Sequence, residues 1–164
     1  MAIFTKTGYN TKYCLTHPWK VIAHKCYDLR NAWQRANKGY SYEDVWNMDS
    51  WFLRIVPQML SEFIRDHHGH PVDMPEEEWD KILIQMEKAF RNAYEETTEF
   101  ENPYELEYLN SLELDPKNST IQSTADEALK NNYHNAEESR EKLMQQSFDE
   151  GMKLFHEHFY SLWD

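Results

Sequence analysis

Between Pro18 and Ala36 the apolar residues Trp19, Ile22, Cys26, Leu29 (beside Arg30), Trp33 and Ala36 recur at intervals of three and four. That spacing lays one apolar stripe along an α-helix, and Pro18 suits its first turn. A second helix is predicted from Tyr42 to about Asp66, with Val45, Met48, Phe52, Ile55, Val56, Met59, Leu60 and Phe63 facing inward and Pro57 kinking it. The stretch His67–Pro75 breaks the pattern. Pro75 followed by Glu76, Glu77 and Glu78 opens a third helix, with its acids near the positive end of the helix dipole. Trp79, Ile82, Leu83, Met86, Ala89, Phe90 and Ala93 form the buried face of that helix.

From Thr97 to Ser119 the periodicity weakens, with a short helix expected between Pro103 and Leu112 and a loop at Asp115–Asn118. From about Thr120 to Leu162 the residues Ile121, Ala125, Leu129, Tyr133, Ala136, Leu143, Phe148, Met152, Phe155, Phe159 and Leu162 describe one long helix or two with a break. Its middle, Asn135 to Gln146, is polar nearly all round, which suits a helix that projects or pairs weakly with a partner. The fold class is therefore all-α: a compact bundle of about three N-terminal helices plus a long C-terminal helix. A single domain over residues 1–164 is expected, its core at about 17–95 packed with 140–164, and 96–135 forming an acidic, more variable insertion.

Composition agrees with helix, since the chain has only 4 Gly and 6 Pro. No run of 18 or more apolar residues occurs, and the N-terminus lacks the order of a signal peptide, so a cytoplasmic protein without a membrane partner is expected. Cys14 and Cys26 are read as free thiols, Cys26 as a small buried hydrophobe on the first helix.

Charge changes the picture more. The net charge is −12, but residues 1–72 sum to +3 and residues 73–164 to −15. Asn92 to Pro116 holds eight acids, Glu95, Glu96, Glu99, Glu101, Glu105, Glu107, Glu113 and Asp115, and no Lys or Arg. Direct nucleic-acid binding through this half is excluded, because phosphates need cations to replace their counterions. Phe100, Tyr104 and Tyr108 interleave with the acids, so Glu95, Glu96, Glu99, Phe100, Glu101, Tyr104, Glu105, Glu107 and Tyr108 are the candidate partner-binding residues. Carboxylates steer a basic partner and aromatics anchor it.

A second candidate lies at the turn from Arg30 to Asp49. Gly39 supplies a helix C-terminus, and Ser41 with Asp44 three residues on reads as a capping box. Arg30, Trp33, Arg35, Tyr40, Trp46 and Asp49 crowd this turn. An acid paired with Arg30 or Arg35 would fix the helix angle, whereas the same arginines with the indoles could hold a planar, nucleotide-like anion. Asp44 and Asp49 are rotated by about 140° on a helix and do not make a shared acid/base site. His156 and His158 point about 200° apart, and His67, His68 and His70 sit in a breaker loop, so no metal site is read. No phosphate loop, nucleophile elbow or Cys/His couple occurs; no catalytic residue and no cofactor are assigned.

His17-Pro18, the run RNAWQRANKGYSYEDVWNMD, the Gly69-His70-Pro71 break before Glu78-Trp79 and the terminal Ser161-Leu162-Trp163-Asp164 together resemble a family of small phage and prophage helical proteins to which no activity is assigned. Tyr42 stands where Asp is common, and His70 where Tyr is common. The resemblance implies a phage origin and a helical fold, and brings no site residue with it. With the acidic tract it leads to a non-enzymatic phage accessory protein that binds a host protein, a basic nucleic-acid-handling enzyme or a defence effector such as a CRISPR complex, in the cytoplasm of the infected cell. A nucleotide-like ligand at the Arg/Trp/Tyr turn and homo-oligomerisation through the C-terminal helix are the alternatives.

Overall fold

The computed structural model describes residues 18–115 and 120–163, and the chain divides into two compact units, Met1–Asp49 and Ser50–Asp164. Cys14, His17 and the loop residues 116–118 lie outside the described residues. The protein is mostly α-helical and ends in a long helix, with a small antiparallel hairpin that the all-α expectation lacked.

In the first unit, α1 (Pro18–Lys38) stops at Gly39, whose φ of 79° lies in the left-handed region and whose N–H reaches the Arg35 carbonyl at 2.9 Å. Glycine takes that backbone without the penalty a Cβ would add. Ser41 then caps α2 (Tyr42–Trp46): its Oγ accepts from the Asp44 N–H at 3.4 Å, and the Asp44 carboxylate accepts from the Ser41 N–H at 2.7 Å. The capping box is formed as read from the sequence.

Two expectations fail here. The helix expected over Tyr42–Asp66 is interrupted at Asn47, where φ −124° and ψ 54° leave helical space. The Asn47 backbone N–H and side-chain amide both donate to the Glu43 carbonyl, at 3.2 and 3.4 Å, which closes α2 locally before α3 (Met48–Asp66) begins. The apolar stripe of α1 is also not buried: Trp19, Ile22, Cys26, Leu29 and Trp33 are all exposed. The face of α1 that meets its own turn is the polar one, through Asn31, Gln34 and Arg35. Val45, Met48 and Met59, expected inward, are exposed as well.

The second unit holds the core. α4 (Glu76–Asn92) starts after Pro75 and buries Trp79, Leu83, Met86, Ala89 and Phe90, the face predicted for it. With Leu60 from α3, Trp79, Leu83, Met86 and Phe90 form a cluster against Phe52, Val56 and Phe63 of α3 and Phe148, Leu154 and Phe155 of α6 (Glu127–His158). Phe90 is its centre, edge-on to Phe52 at 5.4 Å and to Phe155 at 6.0 Å. Opposite the Phe90 ring α6 carries Gly151, where a Cβ would lie 2.9 Å from two ring carbons. The glycine permits that close approach. α3 runs through Pro57, and beside it Ser61 links its own helix to α4: its Oγ donates to Glu87 at 2.8 Å and accepts from Arg91 at 3.0 Å.

α5 (Glu105–Asn110) falls within the expected short helix, and two strands that were not expected follow it. β1 (Leu112–Asp115) pairs antiparallel with β2 (Thr120–Ser123), Leu112 opposite Ser123 and Asp115 opposite Thr120. The last helix therefore starts at Glu127 rather than near Thr120, with Asp126 as N-cap accepting from the Leu129 N–H at 2.7 Å. From there α6 continues unbroken to His158, and a 3-10 turn, Phe159–Ser161, closes it. Among the described residues no helix is long and apolar enough to cross a membrane.

Candidate functional site

The acidic segment leaves α4 through a tight loop. Asn92, nearly buried, accepts from the Glu99 N–H at 3.1 Å, while Thr97 donates from its hydroxyl to the Arg91 carbonyl at 2.8 Å. These bonds turn the chain back so that 99–110 lies along α6. The hinge of that arrangement is Asn102, 5% exposed. Its amide donates to the Tyr133 carbonyl and to Glu137, both at 3.0 Å, and its side-chain oxygen accepts from the Tyr104 N–H at 3.0 Å, which sets the start of α5.

Tyr108 then stacks on Tyr133 with ring centroids 4.1 Å apart and planes 10° from parallel. Beside this stack Glu137 accepts from Arg140 at 2.7 Å, and Arg140 also reaches Glu95 at 3.5 Å. Arg140 and Asn102 hold the Glu137 carboxyl below its ordinary value, and Glu137 raises Arg140 in turn. Burial pushes the Tyr133 phenol up. The polar middle of α6 is thus half covered by the acidic segment on its Tyr133, Glu137 and Arg140 side, which corrects the expectation of a projecting helix. Asn102, Tyr133, Glu137 and Arg140 carry this joint, and none of them is among the candidate site residues read from the sequence.

The nine candidate residues separate into two groups. Glu95 and Glu99 are exposed but paired, Glu95 with Arg140 and Glu99 with Lys88 at 3.1 Å; Phe100, Tyr104 and Tyr108 are half-buried, Tyr108 already committed to its stack. Glu96, Glu101, Glu105 and Glu107 are exposed, as is Glu113 on β1. The apolar side chains that accompany them outward are Leu106, 74% exposed, and Leu109, 50% exposed, rather than the tyrosines. On a helix as short as α5, turning Tyr108 inward leaves Leu106 and Leu109 outside. The exposed side chains of this segment are therefore mainly carboxylates with two leucines.

At the turn of the first unit, Arg35 donates to both Asp44 oxygens, Nε to one at 2.8 Å and Nη2 to the other at 2.5 Å. Asp44 is 6% exposed and the pair is bidentate, the strong form of charge-assisted hydrogen bond. Hydrogen bonds from Arg35 and Ser41 hold the Asp44 carboxyl far below the usual carboxylate range, and Asp44 raises Arg35. The acid that takes the structural pairing across the turn is therefore Asp44, which serves the cap and the pair at once. Arg30 instead sits over the Tyr27 ring at 5.0 Å. Asp49 is exposed at the start of α3. Trp33, Tyr40 and Trp46 are exposed, with Tyr42 edge-on to Trp46 at 6.0 Å. An anion at Arg35 would compete with the Asp44 carboxylate.

The histidines have local partners. His67 bonds Asp80 at 2.9 Å and the Gly69 carbonyl at 3.0 Å, and its ring lies along Phe63, tying the end of α3 to α4. His158 meets the edge of buried Trp79 at 5.5 Å.

No family model matches the chain, and neither the curated proteins nor the solved structures hold a significant match to it.

Proposed function

We propose that this protein acts without catalysis, by offering the outer edge of residues 96–113 to a basic macromolecular surface. One observation carries the reading: Glu96, Glu101, Glu105, Glu107 and Glu113 are exposed together with Leu106 and Leu109, on a stretch with no Lys or Arg of its own. Carboxylates at that density steer a cationic partner and are screened by salt, whereas the leucines add contact area that salt does not weaken. The internal joint at Asn102 and Glu137 keeps this edge in one shape, which lowers the ordering cost of binding. With the phage resemblance, the partner class is a host nucleic-acid-handling or defence protein whose own site is built for phosphates, met in the cytoplasm of the infected bacterium.

The test is capture from host lysate by the immobilised full chain across a salt series. A basic protein should be retained at low salt and released as salt rises. Replacing Glu96, Glu101, Glu105 and Glu107 by Gln should abolish capture, whereas replacing the internally paired Glu95 and Glu99 should weaken it less. Retention unchanged by the four substitutions would overturn the reading.

A further inference from the structure

His67 follows directly on α3, and neither the acidic edge nor the capped turn uses it. Its side chain is 5% exposed, and it and its partners all belong to the second unit. Nε2 lies 2.9 Å from Oδ1 of Asp80 on α4, and Nδ1 lies 3.0 Å from the carbonyl oxygen of Gly69 in the segment that separates the two helices. A carboxylate and a carbonyl accept hydrogen bonds and cannot donate them, whereas a neutral imidazole has one N–H and one bare lone pair. Both bonds therefore exist together only while both ring nitrogens carry hydrogen. The ring is then a cation, and its surroundings suit one. It lies along the Phe63 ring with centroids 5.3 Å apart, within the range over which an aromatic face attracts positive charge.

We propose that His67 is a proton-operated latch on the connection between α3 and α4. As an imidazolium it fastens three pieces at one point: the end of α3, the 67–75 break and the first turns of α4. The break turns through a bond from the Met74 N–H to the Pro71 carbonyl at 3.1 Å, and it delivers Met74 against the core cluster and Pro75 to the start of α4. When the ring gives up a proton, one contact is left with lone pair facing lone pair, either Nε2 towards Asp80 or Nδ1 towards Gly69. Repulsion replaces a charge-assisted bond, so the latch is closed at low pH and opens as pH rises. The charged neighbours are placed as follows. Asp80 comes from α4 and is the one charge bonded to the ring among the described residues. On α3, Asp66 is bonded to Arg65, which also reaches Glu62, and His68 is next in the chain. α6 brings His158 to Trp79, the residue before Asp80, with ring centroids 5.5 Å apart. Opening is local, because Leu60, Leu83 and Phe90 hold α3 and α4 in the core cluster without the latch.

Nuclear magnetic resonance of the full chain carrying isotope-labelled histidine tests this. Long-range proton–nitrogen correlation reads the protonation of each ring nitrogen through a pH series, and His67→Gln assigns the His67 signals. At the acid end both His67 nitrogens should be of the protonated type. At the pH where one loses its proton, amide protection at Met74 and Trp79, corrected for the intrinsic pH dependence of exchange, should fall by about tenfold, as expected for the loss of one hydrogen bond to a charged group. In Asp80→Asn the new amide can donate to the bare Nε2, so a neutral ring keeps both bonds; this variant should fold and hold its protection across the same step. His67→Gln should lack the step, and His158→Gln should retain it. Protection that does not change when the His67 ring loses its proton would overturn the proposal. So would a step of wild-type size in Asp80→Asn or His67→Gln, or a bare ring nitrogen on His67 at the acid end.

Discussion

Gly151 gives the sharpest test of how the core is assembled. In a helix interior, Gly→Ala ordinarily stabilises by about 1 kcal/mol, because alanine loses less backbone entropy. Here the added Cβ would lie 2.9 Å from two carbons of the Phe90 ring and 3.3 Å from a third. Phe90 is fully buried and wedged between Phe52 and Phe155, so the ring has nowhere to retreat without moving them. Overpacking of this kind costs about 1–3 kcal/mol, which outweighs the propensity gain and leaves Gly151→Ala destabilised by about 1 kcal/mol. Phe90→Leu alone removes ring volume and costs about 1–2 kcal/mol. In the double variant the methyl enters the space the ring has left, so Gly151→Ala should change sign and stabilise. The cycle should show a favourable coupling of about 1–2 kcal/mol. Urea unfolding followed by circular dichroism reads this as midpoint shifts at constant slope. If Gly151→Ala stabilises the wild-type chain by its full propensity, or if the two effects add, the close approach of α6 to Phe90 is wrong.

The polar joints lead to three further expected outcomes. Arg35→Gln leaves the Asp44 carboxylate buried without its guanidinium and should cost about 3 kcal/mol locally, read as lost amide protection at α2 and the end of α1. Because the folded-state value of Asp44 is depressed, its contribution is fully present above the ordinary carboxylate value of 3.8 and drains away as pH falls below it; Asp44→Asn should flatten that acid limb of the stability profile. Asn102→Ala removes three hydrogen bonds at a buried site, so a loss of about 1–3 kcal/mol is expected by urea unfolding, and carbon-detected titration should show Glu137 moving up towards its ordinary 4.5.

Local chemistry decides which parts of the molecule are legible in the sequence. Gly39, Ser41 and Asp44 sit within a few residues of the groups they satisfy, so spacing alone identifies the turn. The buried face of α4 is legible because Trp79, Leu83, Met86 and Phe90 keep the helical period and are enclosed by α3 and α6. For α1 the same rule identifies the apolar side, but periodicity says nothing about what covers it. The hairpin escapes for a different reason: its strands are four residues each, and only Leu112–Asp115 alternates apolar with polar, Thr120–Ser123 holding the single apolar residue Ile121, too little to outweigh the helical pattern after them. Its sequence signal is the alternation of Leu112–Asp115 ahead of the pattern-breaking residues Pro116-Lys117-Asn118. Asn102 carries no periodic signal; only the Asn102-Pro103 dipeptide marks a turn there.

Surplus charge in the second unit has two different structural meanings. One group of acids is paired with other residues of the fold: Glu137 with Arg140 and Asn102 and Glu87 with Ser61 and Arg91, both half-buried, and Glu95 with Arg140 and Glu99 with Lys88, both exposed. Removing Glu137 or Glu87 changes stability before it changes binding, because each is half-buried at a junction between elements, whereas the exposed pairs of Glu95 and Glu99 contribute little to it. The other group, Glu96, Glu101, Glu105, Glu107 and Glu113, is exposed, Glu96 bonding the Tyr94 phenol, and neutralising a carboxylate there relieves like-charge repulsion. Substitution of the second group by Gln should thus leave stability unchanged or raise it slightly while capture is lost, and that divergence separates a surface kept for a partner from one kept for the fold. A stability loss from the outer-edge substitutions comparable to that of Asn102→Ala would mean the acids are structural, and the proposed function would lose its support.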